Sequence, residues 1–309
     1  MGRERTGKWR AWWKLSRQSA GLRWQKRRWH WRALCGRRAG VSPRPPGPQL
    51  IVSLTTIPAR LSLVHLAIEP LLRQSLSASR IVLWLSDELG PKDLPLALRR
   101  QQRRGLEVRF RRDLRSYTKL IHALKEFPED VIVTADDDTF YPRDWLEQLW
   151  NSFQRRPDSV HCHRAHAMLE TELGTLRPYL EWTFFSPGEL GPSHRLMPTG
   201  VGGILYPPGI LPAEVFDDGV YLRLCPTADD VWFKAMALLA GVPTMKVSPE
   251  FAEYPTIPGT QRKRLCAHNF ADGNNDRQIA AVFGHYDLLP LVKLEPCFQP
   301  SEELFIGRP

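Results

Sequence analysis

From Gln49 onward the chain alternates short apolar runs with longer segments whose apolar residues recur every three or four positions, which predicts strands and helices in turn. LIVSLTT (Leu50–Thr56) reads as a first strand, with a helix over Leu63–Gln74. RIVLWLS (Arg80–Ser86) is a second strand, followed by a helix around Leu94–Arg104. LEVRF (Leu106–Phe110) is a third, followed by a helix over Tyr117–Phe127. VIVTA (Val131–Ala135) is a fourth, and it runs directly into Asp136-Asp137-Asp138. This order argues for an α/β fold with a mainly parallel sheet flanked by helices, in which ligands bind beyond the carboxyl ends of the strands. Those ends carry Thr55 to Arg60, Ser86-Asp87, Arg112-Asp113 and the triple aspartate, so the polar residues gather on one edge. The body contains no internal repeat and no low-complexity segment.

Before Gln49 the pattern is different. Fourteen of the 43 Lys and Arg residues but only one of the 33 Asp and Glu residues lie in positions 1–47. The rest of the chain holds 29 basic against 32 acidic residues, a net of −3, so the whole formal charge of +10 belongs to the N-terminal segment. The body is therefore no basic nucleic-acid binder, and no specific nucleic-acid partner is expected. Six of the eleven tryptophans (Trp9, Trp12, Trp13, Trp24, Trp29, Trp31) sit in the same segment, interleaved with arginine and lysine. Indoles beside cations suit a membrane interface, where rings lie at headgroup level and charges meet anionic lipid. Non-specific contact with nucleic acid or another acidic polymer, and a tail without a role, are the alternatives. Ser42–Pro48 (SPRPPGP) is a stiff boundary. The expected organisation is a basic Trp/Arg-rich arm with its Pro-rich linker over 1–48 and one folded domain over 49–309. An apolar content of 42% in 309 residues is ample for a core of that size.

Cys35, Cys162, Cys225, Cys266 and Cys297 are scattered singly, without a Cys-x-x-Cys pair. Structural zinc and a disulfide framework are not expected, which points to a reducing compartment. The apolar runs are far shorter than the ~20 residues of a spanning helix, and no secretory signal is recognisable. The expected location is the cytoplasm, with peripheral contact on the inner face of the cytoplasmic membrane through residues 1–47.

Three consecutive carboxylates at the end of a buried strand repel one another, at a cost of several kcal/mol unless a counter-charge is supplied. A divalent cation is the natural neutraliser, and oxygen-only ligands suit Mg²⁺ or Mn²⁺, which keep positions open for phosphate oxygens. Alternation in an extended turn would put Asp136 and Asp138 on one side, with Asp138 on the metal and Asp136 reaching the metal shell or a ribose. The alternative is a solvated acidic turn capping a helix that starts at Pro142. A P-loop and a G-x-G-x-x-G dinucleotide turn are absent, as is a Gly-rich pyrophosphorylase loop after strand one. Thr139 stands one place too early for the Asp-x-Asp-x-Thr phosphatase pattern.

Seven blocks in order, SLTTIPARL, SYTKLIHAL, VTADDDTFYPRDWL, VHCHRAH, TGVGGILYPP, LCPTADDVWF and NFADGNNDRQ, span about residues 50–285. They resemble the family-2-like bacterial glycosyltransferases of the surface-polysaccharide type. The resemblance implies a GT-A (Rossmann-like) nucleotide-diphospho-sugar transferase fold whose DxD tract holds a metal and a nucleotide sugar. It puts Thr56, Pro58, Arg60, Asp113, Lys119, Asp136 and Asp137 at the nucleotide, where Arg60 and Lys119 supply the cations that a diphosphate needs. Either cation has an ordinary surface charge as its alternative. His161 and His163 fall on one strand face without a fourth ligand, so zinc is not expected there. His163 and Arg164 would line the pocket, or His163 would be a satisfied core histidine. Gly202 and Gly203, within Thr199 to Gly203, would let the backbone approach the transferred sugar, or simply form a tight turn before Tyr206.

Asp229-Asp230 corresponds to the family's acidic pair, which implies Asp230 as the base and Asp229 as the residue that positions the acceptor. Helix N-caps are the alternative reading of the same pair. Trp232 is a stacking face or a core residue. His268 is the candidate third metal ligand beside Asp136 and Asp138, while Asn269, Asn275 and Asp276 match the family's tail pattern. The resulting expectation is metal-dependent, inverting transfer of a sugar from a nucleotide-diphosphate donor, UDP-sugar favoured, to a saccharide or lipid-linked saccharide acceptor in surface polysaccharide or lipopolysaccharide assembly. Its rivals are a metal-dependent nucleotide-sugar hydrolase or pyrophosphorylase, and a non-catalytic binding protein acting through its basic arm.

Overall fold

The structure, a computed structural model, describes residues 21–43, 47–251, 253–260 and 273–293. A first helix, α1, covers residues 21–35. Four strand and helix units follow: β1 (Leu50–Thr55), α2 (His65–Leu71), β2 (Arg80–Ser86), α3 (Leu96–Gln102), β3 (Leu106–Arg111), α4 (Thr118–Glu126), β4 (Val131–Ala135) and α5 (Trp145–Arg155). The second half holds the short strands β5 (Val160–Cys162), β6 (Ala165–Ala167), β7 (Leu196–Pro198), β8 (Ile204–Tyr206) and β9 (Thr244–Lys246). Its helices are α6 (Asp218–Leu224), α7 (Asp229–Leu239), α8 (Asn274–His285) and α9 (Leu289–Lys293).

The main sheet has seven strands in the order β3-β2-β1-β4-β8-β5-β9. Pairing is parallel throughout except at β8, which runs antiparallel to both β4 and β5. The mainly parallel sheet expected from the alternation is thus present. Its continuous apolar runs have a direct cause: helices cover both faces. Along β4, Val131, Val133 and Ala135 pack with Ile68 of α2, with Val64 just before it, and with α5 residues such as Leu149. Ile132 faces the opposite layer, with Leu120 and Ile121 of α4 and Ile279 of α8. Side-chain alternation assigns each residue its layer.

Ser53 is a polar exception on the buried β1. Its hydroxyl accepts from Trp84 Nε1 at 2.7 Å and donates to the backbone carbonyl of Lys119. The first turn of α4 is therefore tied to β1, which places Lys119 at the carboxyl edge of the sheet. The helix expected over Leu63–Gln74 is regular only over α2, with Pro70 in its last turn. The helix expected from Pro142 begins at Trp145.

Residues 21–43, grouped by composition with the arm, lie against the body. Ala33 is fully buried, His30 Nδ1 and His65 Nε2 are 2.8 Å apart, and Lys26 Nζ donates to the Pro258 carbonyl at 2.8 Å. Val41 forms a parallel bridge with Ala78, and Ser42 N–H donates to the Ala78 carbonyl. Arg104, buried with Glu69, donates to the Arg38 carbonyl at 2.9 Å. Trp9, Trp12 and Trp13, together with Cys266 and Cys297, lie outside the described residues. Cys35, Cys162 and Cys225 are free thiols. Among the described residues no helix is long and apolar enough to cross a membrane.

Candidate active site

Beyond β1 the chain enters a single 3-10 turn, Pro58–Arg60, that aims Arg60 back at the end of β4. Arg60 Nη1 lies 2.7 Å from Asp137 Oδ1 and 3.2 Å from Asp138 Oδ2, and Thr56 Oγ1 donates to Asp137 Oδ2. Asp136 takes the other direction: its Oδ1 accepts from Lys119 Nζ at 2.9 Å. The alternation expected for the triple aspartate is therefore not what the chain adopts. The backbone turns at Asp137-Asp138 instead of staying extended, so Asp137 and Asp138 share Arg60 while Asp136 faces Lys119.

The second acidic pair arrives from the far side of the sheet, at the first turn of α7. Asp229 Oδ2 lies 3.6 Å from Lys119 Nζ, and Asp230 Oδ2 accepts from the Gly200 N–H at 3.0 Å. Five carboxylates, Asp136, Asp137, Asp138, Asp229 and Asp230, thus surround two cations, Arg60 and Lys119. Burial alone would lower the Lys119 ammonium, but Asp136, Asp229 and Asp230 outweigh it and hold the group well above the ordinary lysine range. Burial, and then repulsion from Asp136 and Asp137, push Asp138 up to about 6 against the pull of Arg60. Asp137 is also raised by burial despite its bonds to Thr56 and Arg60. Asp230 is raised by burial first and by the Asp229 charge second, with Lys119 opposing.

The remaining candidates are placed unevenly. Pro58 is exposed in the turn that carries Arg60. Asp113 is exposed after β3, where its Oδ1 accepts from the Arg115 N–H at 2.7 Å and so shapes the approach to α4. His163 is buried with its Nε2 3.0 Å from the Trp145 carbonyl, and burial lowers it to about 4. Arg164 stacks over the Phe185 ring at 4.9 Å. His268 and Asn269 lie outside the described residues.

The glycine loop differs in detail from expectation. A Cβ on Gly200 would lie 3.0 Å from Lys119 Nζ and 3.2 Å from Asp230 Oδ1, so Gly200 is the glycine that faces the carboxylates. Gly202 and Gly203 pack against Arg164 and Trp145. Tyr141 is a further residue that the sequence reading did not single out. Its hydroxyl accepts from the Asp136 N–H at 2.9 Å and lies 3.5 Å from the Val201 carbonyl, bracing the acidic turn against the glycine loop. Trp145 completes the brace by donating from Nε1 to the Gly202 carbonyl at 2.7 Å. The only signal for either was an aromatic residue close behind the aspartates.

Gly203 has φ +87° and leaves 2.4 Å between an added Cβ and Trp145 Cζ2. Gly203→Ala therefore combines a strained backbone with overpacking, and a loss of about 2 kcal/mol or more is expected in urea denaturation. A variant as stable as the parent would show that the loop relaxes freely.

The donor set fits a hard divalent cation. It is made of carboxylate oxygens and is in negative excess, with five carboxylates to two cations. Among the described residues no three His, Cys, Asp or Glu side chains already converge on a metal position.

Residues 69–199 match the family model described as Glycosyl transferase family 2. That span includes Lys119 and Asp136 to Asp138 and stops short of Gly200 and the Asp229-Asp230 pair. Together with the mainly parallel sheet and its flanking helices, the match marks the chain as a glycosyltransferase of the GT-A architecture. Among solved structures, it is similar to the mannosyltransferase PcManGT from Pyrobaculum calidifontis in complex with GDP-Man and Mn²⁺, at 14% identity over 89% of this chain and 83% of that one, TM-score 0.46. It is also similar to CMP:2-keto-3-deoxy-manno-octonic acid synthetase complexed with CTP, at 13% identity over 68% of this chain and 92% of that one, TM-score 0.41. No curated protein matches the sequence.

Proposed function

We propose that this glycosyltransferase moves a sugar from a nucleoside-diphosphate donor, a UDP-sugar by preference, to a hydroxyl of a saccharide or lipid-linked saccharide, with inversion, in surface-polysaccharide assembly. The observation that carries the reading is the gathering of two acidic groups, Asp136 to Asp138 and Asp229-Asp230, around Lys119 and Arg60 at the carboxyl ends of β1 and β4. Transfer to a hydroxyl needs a base within hydrogen-bond reach of it and positive charge at the departing diphosphate.

Asp230 is the base. Its raised affinity for a proton suits removal of the acceptor's hydroxyl proton as the new glycosidic bond forms and the bond to the diphosphate breaks. Asp229, whose Oδ2 has no hydrogen-bond donor, accepts a bond from the acceptor and orients it. Lys119 and Arg60 would supply the positive charge that offsets the negative charge growing on the leaving group. Asp138, with Asp136 and His268 as further ligands, would hold Mg²⁺ or Mn²⁺, which would add charge stabilisation at the departing diphosphate. Gly200 keeps the wall beside Lys119 and Asp230 free of a side chain.

The test is a thermal-shift screen of the full chain against UDP-, GDP-, CMP- and dTDP-sugars, each with and without Mn²⁺. One nucleotide should raise the midpoint only when metal is present, by linkage of binding to folding, and Asp138→Ala should remove the effect. If no nucleotide shifts the midpoint under either condition, the acidic turn is structural and the reading fails.

A further inference from the structure

We propose that the outward face of α1 is a seat for an anionic lipid bilayer. This inference goes beyond glycosyl transfer and does not depend on it. Residues 21–43 hold seven Arg and Lys and no Asp or Glu. The inner face of α1 is occupied by the body: Ala33 is buried, and Trp29 packs on the cluster of Leu66, Phe140 and Ile257. Among the described residues, the outer face is left exposed. Trp24 and Trp31 are 63% and 67% exposed, among the most exposed large apolar side chains described.

Positions 24, 27, 28 and 31 fall on one side of a helix, so the two indoles stand about 10 Å apart along it with Arg27 and Arg28 between them. Arg23, Arg27 and Arg28 are exposed, and the Arg28 guanidinium lies 5.5 Å from the centre of the Trp24 ring. Rings that sit at headgroup level, flanked by cations at phosphate level, are what a helix lying in the plane of an anionic interface presents. The arginines have no acidic neighbours on their own segment, and the acidic excess of the chain lies after residue 47. Charge complementarity therefore selects a negatively charged surface, and the protruding indoles select one with an apolar layer beneath the charge.

The same helix is joined to the acidic turn. Lys26 Nζ donates to the Pro258 carbonyl, and in this neighbouring segment the Ile257 N–H donates to the Asp138 carbonyl at 2.7 Å while Thr256 bridges Thr139. A bilayer bound to the outer face of α1 would hold the carboxylate cluster at a fixed distance from the lipid surface.

The experiment is co-sedimentation of the full chain with vesicles of phosphatidylcholine alone and of phosphatidylcholine mixed with phosphatidylglycerol. The parent should bind the mixed vesicles and not the neutral ones, and rising salt should release it. The double variant Trp24→Ala/Trp31→Ala should weaken vesicle binding by about tenfold or more, with an unchanged thermal midpoint because both side chains are exposed. Arg27→Glu/Arg28→Glu should do the same through charge. Equal binding by parent and both variants, binding to neutral vesicles alone, or no vesicle binding beside tight binding of duplex DNA would each overturn the proposal.

Discussion

Replacing Asp230 by Asn is expected to lower turnover by about 10²- to 10⁴-fold while donor binding is kept. The substitution is nearly isosteric, and an Asn carbonyl can still accept from the Gly200 N–H, so the loop against α7 should hold its place. What disappears is the capacity to take a proton. The effect should fall on kcat, since a base acts at the reaction step, and a variant within about tenfold of the parent would remove Asp230 from that role.

The pH dependence gives the same residue a second test. Asp230 is raised in the folded state, so between the unfolded value and the folded one the native protein binds the extra proton and stability increases as pH falls. Above that window the ionised, buried carboxylate is a liability. Asp230→Asn should therefore be more stable than the parent in alkaline solution, with the difference shrinking as the pH is lowered. The acid limb of the parent's kcat/KM profile should lie above the ordinary carboxylate value of about 4.

β1, β2 and β4 were legible because each is buried on both faces and so reads as a nearly unbroken apolar run, whereas the half-buried edge strand β3 was legible through its alternation of Leu106, Val108 and Phe110 with Glu107 and Arg109. β5, β8 and β9 are three residues each, too short to show a period, and the antiparallel insertion of β8 beside β4 depends on contacts remote in sequence. The acidic turn was legible as a charge problem, but not its solution. Which aspartate faces which cation follows from the turn at Asp137-Asp138, a backbone choice that three identical side chains cannot announce. The glycine loop failed for a related reason. Thr199 to Gly203 holds three glycines, and only the folded path shows that Gly200 faces Lys119 while Gly203 clears Trp145. Composition grouped the whole basic segment as one arm, although the half-buried Trp29 and the fully buried Ala33 follow a helical spacing shared with the body.

Lys119→Met should be the most destabilising change in the site. Lys119 is buried at the junction of Asp136, Asp229 and Asp230, and methionine fills similar volume without the charge. Removing one partner from a buried charge cluster costs about 3–5 kcal/mol, because the groups left behind are desolvated and mutually repulsive. That loss has a built-in escape: the orphaned carboxylates can take up protons. Without the ammonium the folded-state proton affinity of Asp230, already raised to about 7, rises further, so the variant should regain stability as the pH falls through that value. The buried histidines act in the opposite sense in both proteins. His161, His163 and His166 are lowered by burial to about 4, about 4 and about 3, so the unfolded chain binds protons first and acid weakens the fold. The histidine contribution cancels when the variant is compared with its parent, and what remains is the carboxylate cluster. The gap in denaturation midpoint between the two should therefore be widest in alkali and close in acid. A gap independent of pH would mean that Lys119 contributes packing alone, and that the five aspartates do not form one electrostatic unit.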